Sequence, residues 1–384
     1  MAAGAGKRAL AAAALVAAGT IAGAVLAEGV LRLARLSAPI PYRHDRDTGT
    51  SLRPGADGLQ SREGHARLRV NAAGMRDVDH AIAKPPGVVR VAVLGDSFAE
   101  AAQVEIEETF FRKLGPALEA CGAAGSRKVE VLNFGVSGWG TAQELVALRT
   151  KVRAYAPDVV LLLVVPTNDL RNNVRELEGD PGRPYFVLRD GALEEDVAFR
   201  ETLRIREIGS ARERLKHALV EHSRVVQLLL ALKAPPAPAG GAFEAGLSPE
   251  VFLADPPAAW ANAWSVTEAL IEAAARESAG QGARFWLVSA TAGVQVDPDP
   301  GKRVVAGGEP LAPERRLEAL AARLDLPYVA LAPILADEAA RTGTFFHGFP
   351  NTRLGTGHWN ADGHRAVAEA IASRVCAQPS RFLP

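Results

Sequence analysis

The chain has 384 residues, 48% of them hydrophobic and 23% charged, and its 44 Lys+Arg balance 44 Asp+Glu to a formal net charge of zero. That length suits an α/β domain carrying insertions. The lack of a basic excess argues against a nucleic-acid partner, because phosphate neutralisation dominates such binding. Clustered His and Cys at metal-ligand spacing do not occur, so no metal or organic cofactor is implied.

At the N-terminus Lys7 and Arg8 precede Ala9 to Ala27, nineteen uncharged residues, close to the roughly 20 that span a bilayer. Positive charge ahead of the run predicts a cytoplasmic N-terminus and an exported body. Val25-Leu-Ala27 also has the small-residue spacing of a signal-peptidase site. A retained single-pass anchor is the favoured reading, since the apolar helical pattern continues through Val30-Leu-Arg-Leu33. Residues 1–36 are read as this segment, 37–84 as an extended lead-in, and 85–377 as the main domain with an insertion at about 172–257.

Val91-Ala-Val-Leu-Gly95-Asp96-Ser97 is an apolar run of buried-strand type that stops at a glycine and delivers a serine to the strand's end. Ligands of open α/β sheets sit beyond the carboxyl ends of strands, which is where a nucleophile belongs. The same tripeptide also suits a turn whose Asp and Ser cap the next helix. A helix from Thr109 to Ala120, with a kink allowed at Pro116, leads to Cys121, and the strand Val129–Leu132 runs into Asn133-Phe-Gly135-Val-Ser-Gly138-Trp-Gly140. Thr141 to Ala154 reads as a helix, and the buried strand Val159–Val165 ends in Pro166-Thr167-Asn168-Asp169.

In the insertion, Tyr185–Leu188 and Ala192-Leu193 flank Arg189-Asp190-Gly191, a hairpin signal. Helical material follows to about Leu232, then Ala234–Gly241 as a flexible connection. Long insertions of this kind form lids or substrate walls; a membrane-facing or merely decorative excursion is the other reading. A helix from Ala258 to Ala279, a strand Arg284–Ser289, a helix Pro313–Leu324 and a strand Tyr328–Leu331 complete the alternation. Last come His358-Trp-Asn360-Ala-Asp-Gly363-His364, an amphipathic helix Arg365–Val375, and Cys376. The expected fold is a three-layer α/β/α domain of flavodoxin type with a five-stranded, mostly parallel sheet.

A serine hydroxyl needs a base to take its proton, and the oxyanion formed at an attacked carbonyl needs fixed donors. The four segments around Ser97, Gly138, Asn168 and His358, in this order, resemble the SGNH (GDSL-type) hydrolase superfamily of esterases, lipases and carbohydrate deacetylases. The resemblance runs from about Val70 to Ala377, and Asn71-Ala-Ala-Gly74-Met-Arg76 is similar to a feature of membrane-tethered bacterial members. It implies Ser97 as nucleophile and His358 as base. The Ser97 N–H, the Gly138 N–H and the Asn168 amide would serve as oxyanion donors, with Asp96 and Asp169 supporting the turns. Two positions depart from the family's pattern: Pro166 stands where a glycine is usual, and Thr356 and Gly355 stand where an aspartate precedes the histidine. Asp362-Gly363-His364 is a competing Asp-x-His frame inside a first helical turn, and His347 reads as a pocket-wall or surface residue.

In a sheet of flavodoxin type the first and last helices pack side by side and parallel, which makes a Cys121–Cys376 disulfide a hypothesis. The leading functional expectation is an extracytoplasmic serine esterase, anchored in the cell membrane, acting on O-acyl groups such as O-acetyl esters of an envelope polysaccharide. A sugar hydroxyl as acceptor would make it an O-acyltransferase. The alternative is a non-catalytic or weakly catalytic glycan-binding member of an envelope assembly complex. It is motivated by the missing aspartate and by Trp139 and Trp359, loop aromatics that read either as exposed platforms for sugar rings or as core residues.

Overall fold

A computed structural model of the chain describes residues 2–34, 41–233 and 248–384. The expected connection Ala234–Gly241 and the boundary at 36/37 lie outside the described residues. The helix Ala2–Leu33 comes first, and its part Leu10–Leu33 is long and apolar enough to cross a membrane by length and composition, with none of its most apolar window buried.

Residues 41–84 are more than an extended lead-in. They form two antiparallel pairs, β1 (Tyr42–Asp45) with β2 (Gly49–Leu52) and β3 (Asp57–Gln60) with β4 (Ala66–Arg69). The central sheet follows from β5 (Val88–Leu94), β6 (Lys128–Asn133) and β7 (Val159–Val164). After the hairpin β8 (Tyr185–Arg189) and β9 (Ala192–Asp196), it is completed by β10 (Arg284–Ser289) and β11 (Tyr328–Ala330). Its order is β11-β10-β7-β5-β6 and all four pairings are parallel. Renumbered within the sheet this is the 2-1-3-4-5 order of flavodoxin-like folds, with its switch point between β5 and β7.

The side-chain period of two distributes the apolar runs over both faces. Ala92, Leu94, Leu132, Val160, Leu162, Phe285 and Leu287 join one core with the helices Thr141–Thr150, Ala258–Gly280 and Ala312–Arg323. Val89, Val91, Val93, Leu161, Leu163, Trp286 and Val288 join the other with Phe110–Ala120, Leu331–Thr342 and Ala361–Ala377. A fully buried parallel sheet demands such unbroken apolar strands. On the second face Cys121 and Cys376 are joined by a disulfide, with Cα atoms 6.1 Å apart.

Within the insertion, the β8–β9 hairpin turns on Asp190 and Gly191, both at positive φ, as a two-residue turn of mirror-image type requires. Phe186, Leu188 and Leu193 pack onto the first core. Beyond it stand the helices Ala211–His222 and Arg224–Lys233.

Candidate active site

Ser97 opens a one-turn helix, Ser97–Glu100, directly beyond the end of β5. Asp96 sets it there: its Oδ1 accepts the Phe98 N–H at 2.9 Å, satisfying one of the free donors of the first turn. Gly135, after β6, permits close packing of this turn, since a Cβ there would collide with Ala99 and the Glu100 amide.

Three side chains from distant parts of the chain form one hydrogen-bonded line. Ser97 Oγ lies 2.8 Å from His358 Nε2, and His358 Nδ1 lies 2.5 Å from Glu63 Oε2. The other Glu63 oxygen accepts the His358 backbone N–H at 2.7 Å. An ionised carboxylate only accepts, so Nδ1 carries the ring proton and Nε2 presents its lone pair to the serine hydroxyl. Burial works to raise the Glu63 pKa, but the bonds from the His358 ring and backbone outweigh it and hold the carboxyl below its ordinary value. The acid absent from the segment before His358 is thus supplied by the β3–β4 connection, a residue that the sequence reading did not single out.

The two loops are fastened to each other. Gly357 has φ +75, and a Cβ there would strike Glu63 Oε1. Asn351 accepts the Gly64 N–H at 3.0 Å and donates to the carbonyls of Ser61 and Gly64 at 3.0 and 3.1 Å.

In the loops beyond the sheet the structure corrects one expectation and decides two readings that the sequence left open. His347 is not a pocket-wall or surface residue but fully buried; Nδ1 donates to the Gly357 carbonyl at 2.7 Å and Nε2 accepts from Thr291 Oγ1 at 2.8 Å. Burial pushes its pKa down to about 4, so the ring is neutral. Trp359 is not an exposed platform: it is 0% exposed, and its Nε1 donates to Thr291 Oγ1 at 2.8 Å. Trp139 is likewise buried, at 1% exposure, donating to the Thr50 carbonyl at 2.9 Å. Both indoles find a partner for their one polar atom inside the core, which lets the rest of the ring contribute apolar burial. His364 lies stacked on Phe110, and burial pushes its pKa well below the ordinary value.

The remaining predicted residues surround the Ser97 turn. Asn168, in the first turn of the helix Pro166–Asn172, donates through Nδ2 to Asp96 Oδ2 at 2.9 Å. That bond occupies one of the two amide protons. Asp169 is buried and accepts the Val165 N–H at 2.9 Å. Burial raises the pKa of Asp96, and burial plus the Asp96 charge pushes Asp169 well above its usual value. Glu144, also buried and without hydrogen-bond partners on either oxygen, is pushed well above by burial, then by Asp169 and Asp96. Gly138 adopts φ +78 in the turn after β6. Its carbonyl accepts from Arg183, a buried residue of the insertion that also donates through Nε to Gln143 Oε1 at 3.1 Å. The first part of the insertion therefore braces the Gly138 turn from behind.

Among the described residues no group of three or more His, Cys, Asp or Glu is arranged to hold a metal ion. No protein-family model matches the chain, and no curated protein matches it. Solved structures similar to it include an acetylxylan esterase from Geobacillus stearothermophilus, at 12% identity over 75% of this chain and 94% of that one, TM-score 0.39. An acetyl xylan esterase, AlAXEase, aligns at 13% identity over 75% of this chain and 100% of that one, TM-score 0.41. An α/β hydrolase from the metagenome of Lake Arreo, Spain, aligns at 12% identity over 74% and 94%, TM-score 0.39.

Proposed function

We propose that the chain is a serine esterase that removes O-acyl groups at the outer side of a membrane. The observation that carries this reading is the unbroken line Glu63–His358–Ser97, with spacings of 2.5 and 2.8 Å. In the reaction His358 Nε2 takes the Ser97 proton as Oγ adds to the ester carbonyl. Glu63 holds the ring in the required tautomer and stabilises the imidazolium that forms. The backbone N–H groups of Ser97 and Gly138 and the second Asn168 amide proton are the donors assigned to the oxyanion. The imidazolium then protonates the departing alcohol, and water activated by the same nitrogen releases the acid.

The disulfide supports an oxidising compartment, and the apolar N-terminal helix supports membrane attachment with the domain on the far side. An acetylated envelope polysaccharide is the substrate class we assign; replacing water by a sugar hydroxyl in the last step would give acyl transfer by the same residues. The glycan-binding alternative loses both of its motives, since Glu63 stands in for the aspartate and both tryptophans are buried.

The test is hydrolysis of p-nitrophenyl acetate by the full chain, beside Ser97→Ala and His358→Ala. We expect each substitution to reduce turnover by a factor on the order of 10³ or more. Equal rates for the three proteins would overturn the assignment.

A further inference from the structure

We infer that the insertion helices Ala211–His222 and Arg224–Lys233 form a second membrane contact, lying in the lipid leaflet that faces the catalytic domain. The inference rests on the reading of the N-terminal helix as a bilayer span. In that helix the uncharged stretch between Arg8 and Glu28 is nineteen residues long. At about 1.5 Å per residue it extends about 28 Å, close to the roughly 30 Å hydrocarbon thickness. Glu28 then marks the boundary on the domain side.

The insertion is fastened at this very residue. Glu28 accepts the Ser223 hydroxyl at 3.1 Å and the backbone N–H groups of Arg224 and Val225 at 3.0 and 3.1 Å, which are free donors of a helix start. Arg32, one turn further on, donates to the His222 carbonyl at 2.5 Å. Both insertion helices therefore depart from the level at which the span leaves the hydrocarbon.

What they carry fits lipid. Leu215 and Leu219, four residues apart, share an exposed face of the first helix, and Leu228, Leu229, Leu230 and Leu232 are exposed on the second. Leu215 is 63% and Leu232 74% exposed, values that are costly in water and favourable against acyl chains. The charged residues of this stretch are Arg212, Arg214, Lys216, Arg224 and Lys233 against Glu213 and Glu221, a cationic balance suited to anionic headgroups. Continuity with the span, rather than apolarity alone, selects the bilayer over a protein partner.

The experiment uses the full chain reconstituted in vesicles of phosphatidylethanolamine and phosphatidylglycerol, reacted with an apolar carbene-generating photolabel, with labelled peptides mapped by mass spectrometry. Label is expected on Leu10–Ala27 and also on peptides carrying Leu215–Leu232, and the double variant Leu228→Asp, Leu232→Asp should lose the second signal while keeping the first. Label on the span with none on Leu215–Leu232 would overturn the inference alone. An unlabelled span would overturn the anchor reading, and the inference with it.

Discussion

Glu63 meets His358 at two points, ring and backbone, so it fixes both the tautomer of the imidazole and the path of the loop that carries it. Glu63→Gln keeps the size of the side chain but exchanges an acceptor for a donor on one side. Turnover should fall by a factor on the order of 10⁴, as amide replacement does in serine-protease triads, while the folded state persists; steady-state kinetics beside circular dichroism measures both. Gly357→Ala tests the same junction from the other partner. Positive φ costs a non-glycine residue about 1–3 kcal/mol, and the added methyl would push Glu63 Oε1 away. We expect a lower melting temperature and a kcat loss larger than any change in KM.

Among the elements, the helices after Ser97 and after His358 pack on one face of the sheet and are joined through Cys121 and Cys376, 255 residues apart in sequence. Closing so long a loop restricts the unfolded chain strongly, and removing a native disulfide costs about 2–5 kcal/mol. The double variant Cys121→Ala, Cys376→Ala should lose that much in a denaturant titration, with the untreated and reduced wild type as the bracketing controls. On the opposite face Glu314, in the helix Ala312–Arg323, is buried with Gln295 Nε2 donating to both its oxygens at 2.9 and 3.0 Å. Burial pushes its pKa up to about 7 from an ordinary 4.5. A carboxyl raised in the folded state binds its proton more tightly there than when unfolded. Its contribution is whole below the unfolded value and is lost as pH rises through about 7. Glu314→Gln should therefore gain on the wild type by about 1 kcal/mol between pH 6 and pH 8, read as the widening gap between the two melting curves.

For the whole molecule, the anchor reading predicts that the chain recovered from membranes still begins ahead of Ala27, which N-terminal sequencing decides. Much of this architecture was legible beforehand because it is written locally. The unbroken Val159–Val164 run, short and closed off by Pro157 and Pro166, reads as a fully buried strand and is one, and Gly95-Asp96-Ser97 at a strand end can be read within a dozen residues. Glu63 was illegible for the opposite reason: it lies in an irregular connection with no periodicity, and its partner is 295 positions away. Trp139 and Trp359 stayed ambiguous because a loop position in sequence suggests solvent, whereas these loops cross over the core and drop their indoles into it. Arg183 carried no signal either, since the bond that ties it to the Gly138 turn goes to a backbone carbonyl, and a carbonyl is offered by every residue.

The distance along the chain between Glu63, Ser97 and His358 has a temporal meaning. Synthesis, and the export we propose, proceed from the N-terminus, so the hydroxyl and the carboxylate emerge while the imidazole is still to come. A chain halted anywhere before residue 358 holds an unactivated alcohol. The hydrolytic power we assign to it would switch on only as the C-terminal helix docks on the far side of the membrane, leaving esters in the compartment of origin untouched by a nascent copy.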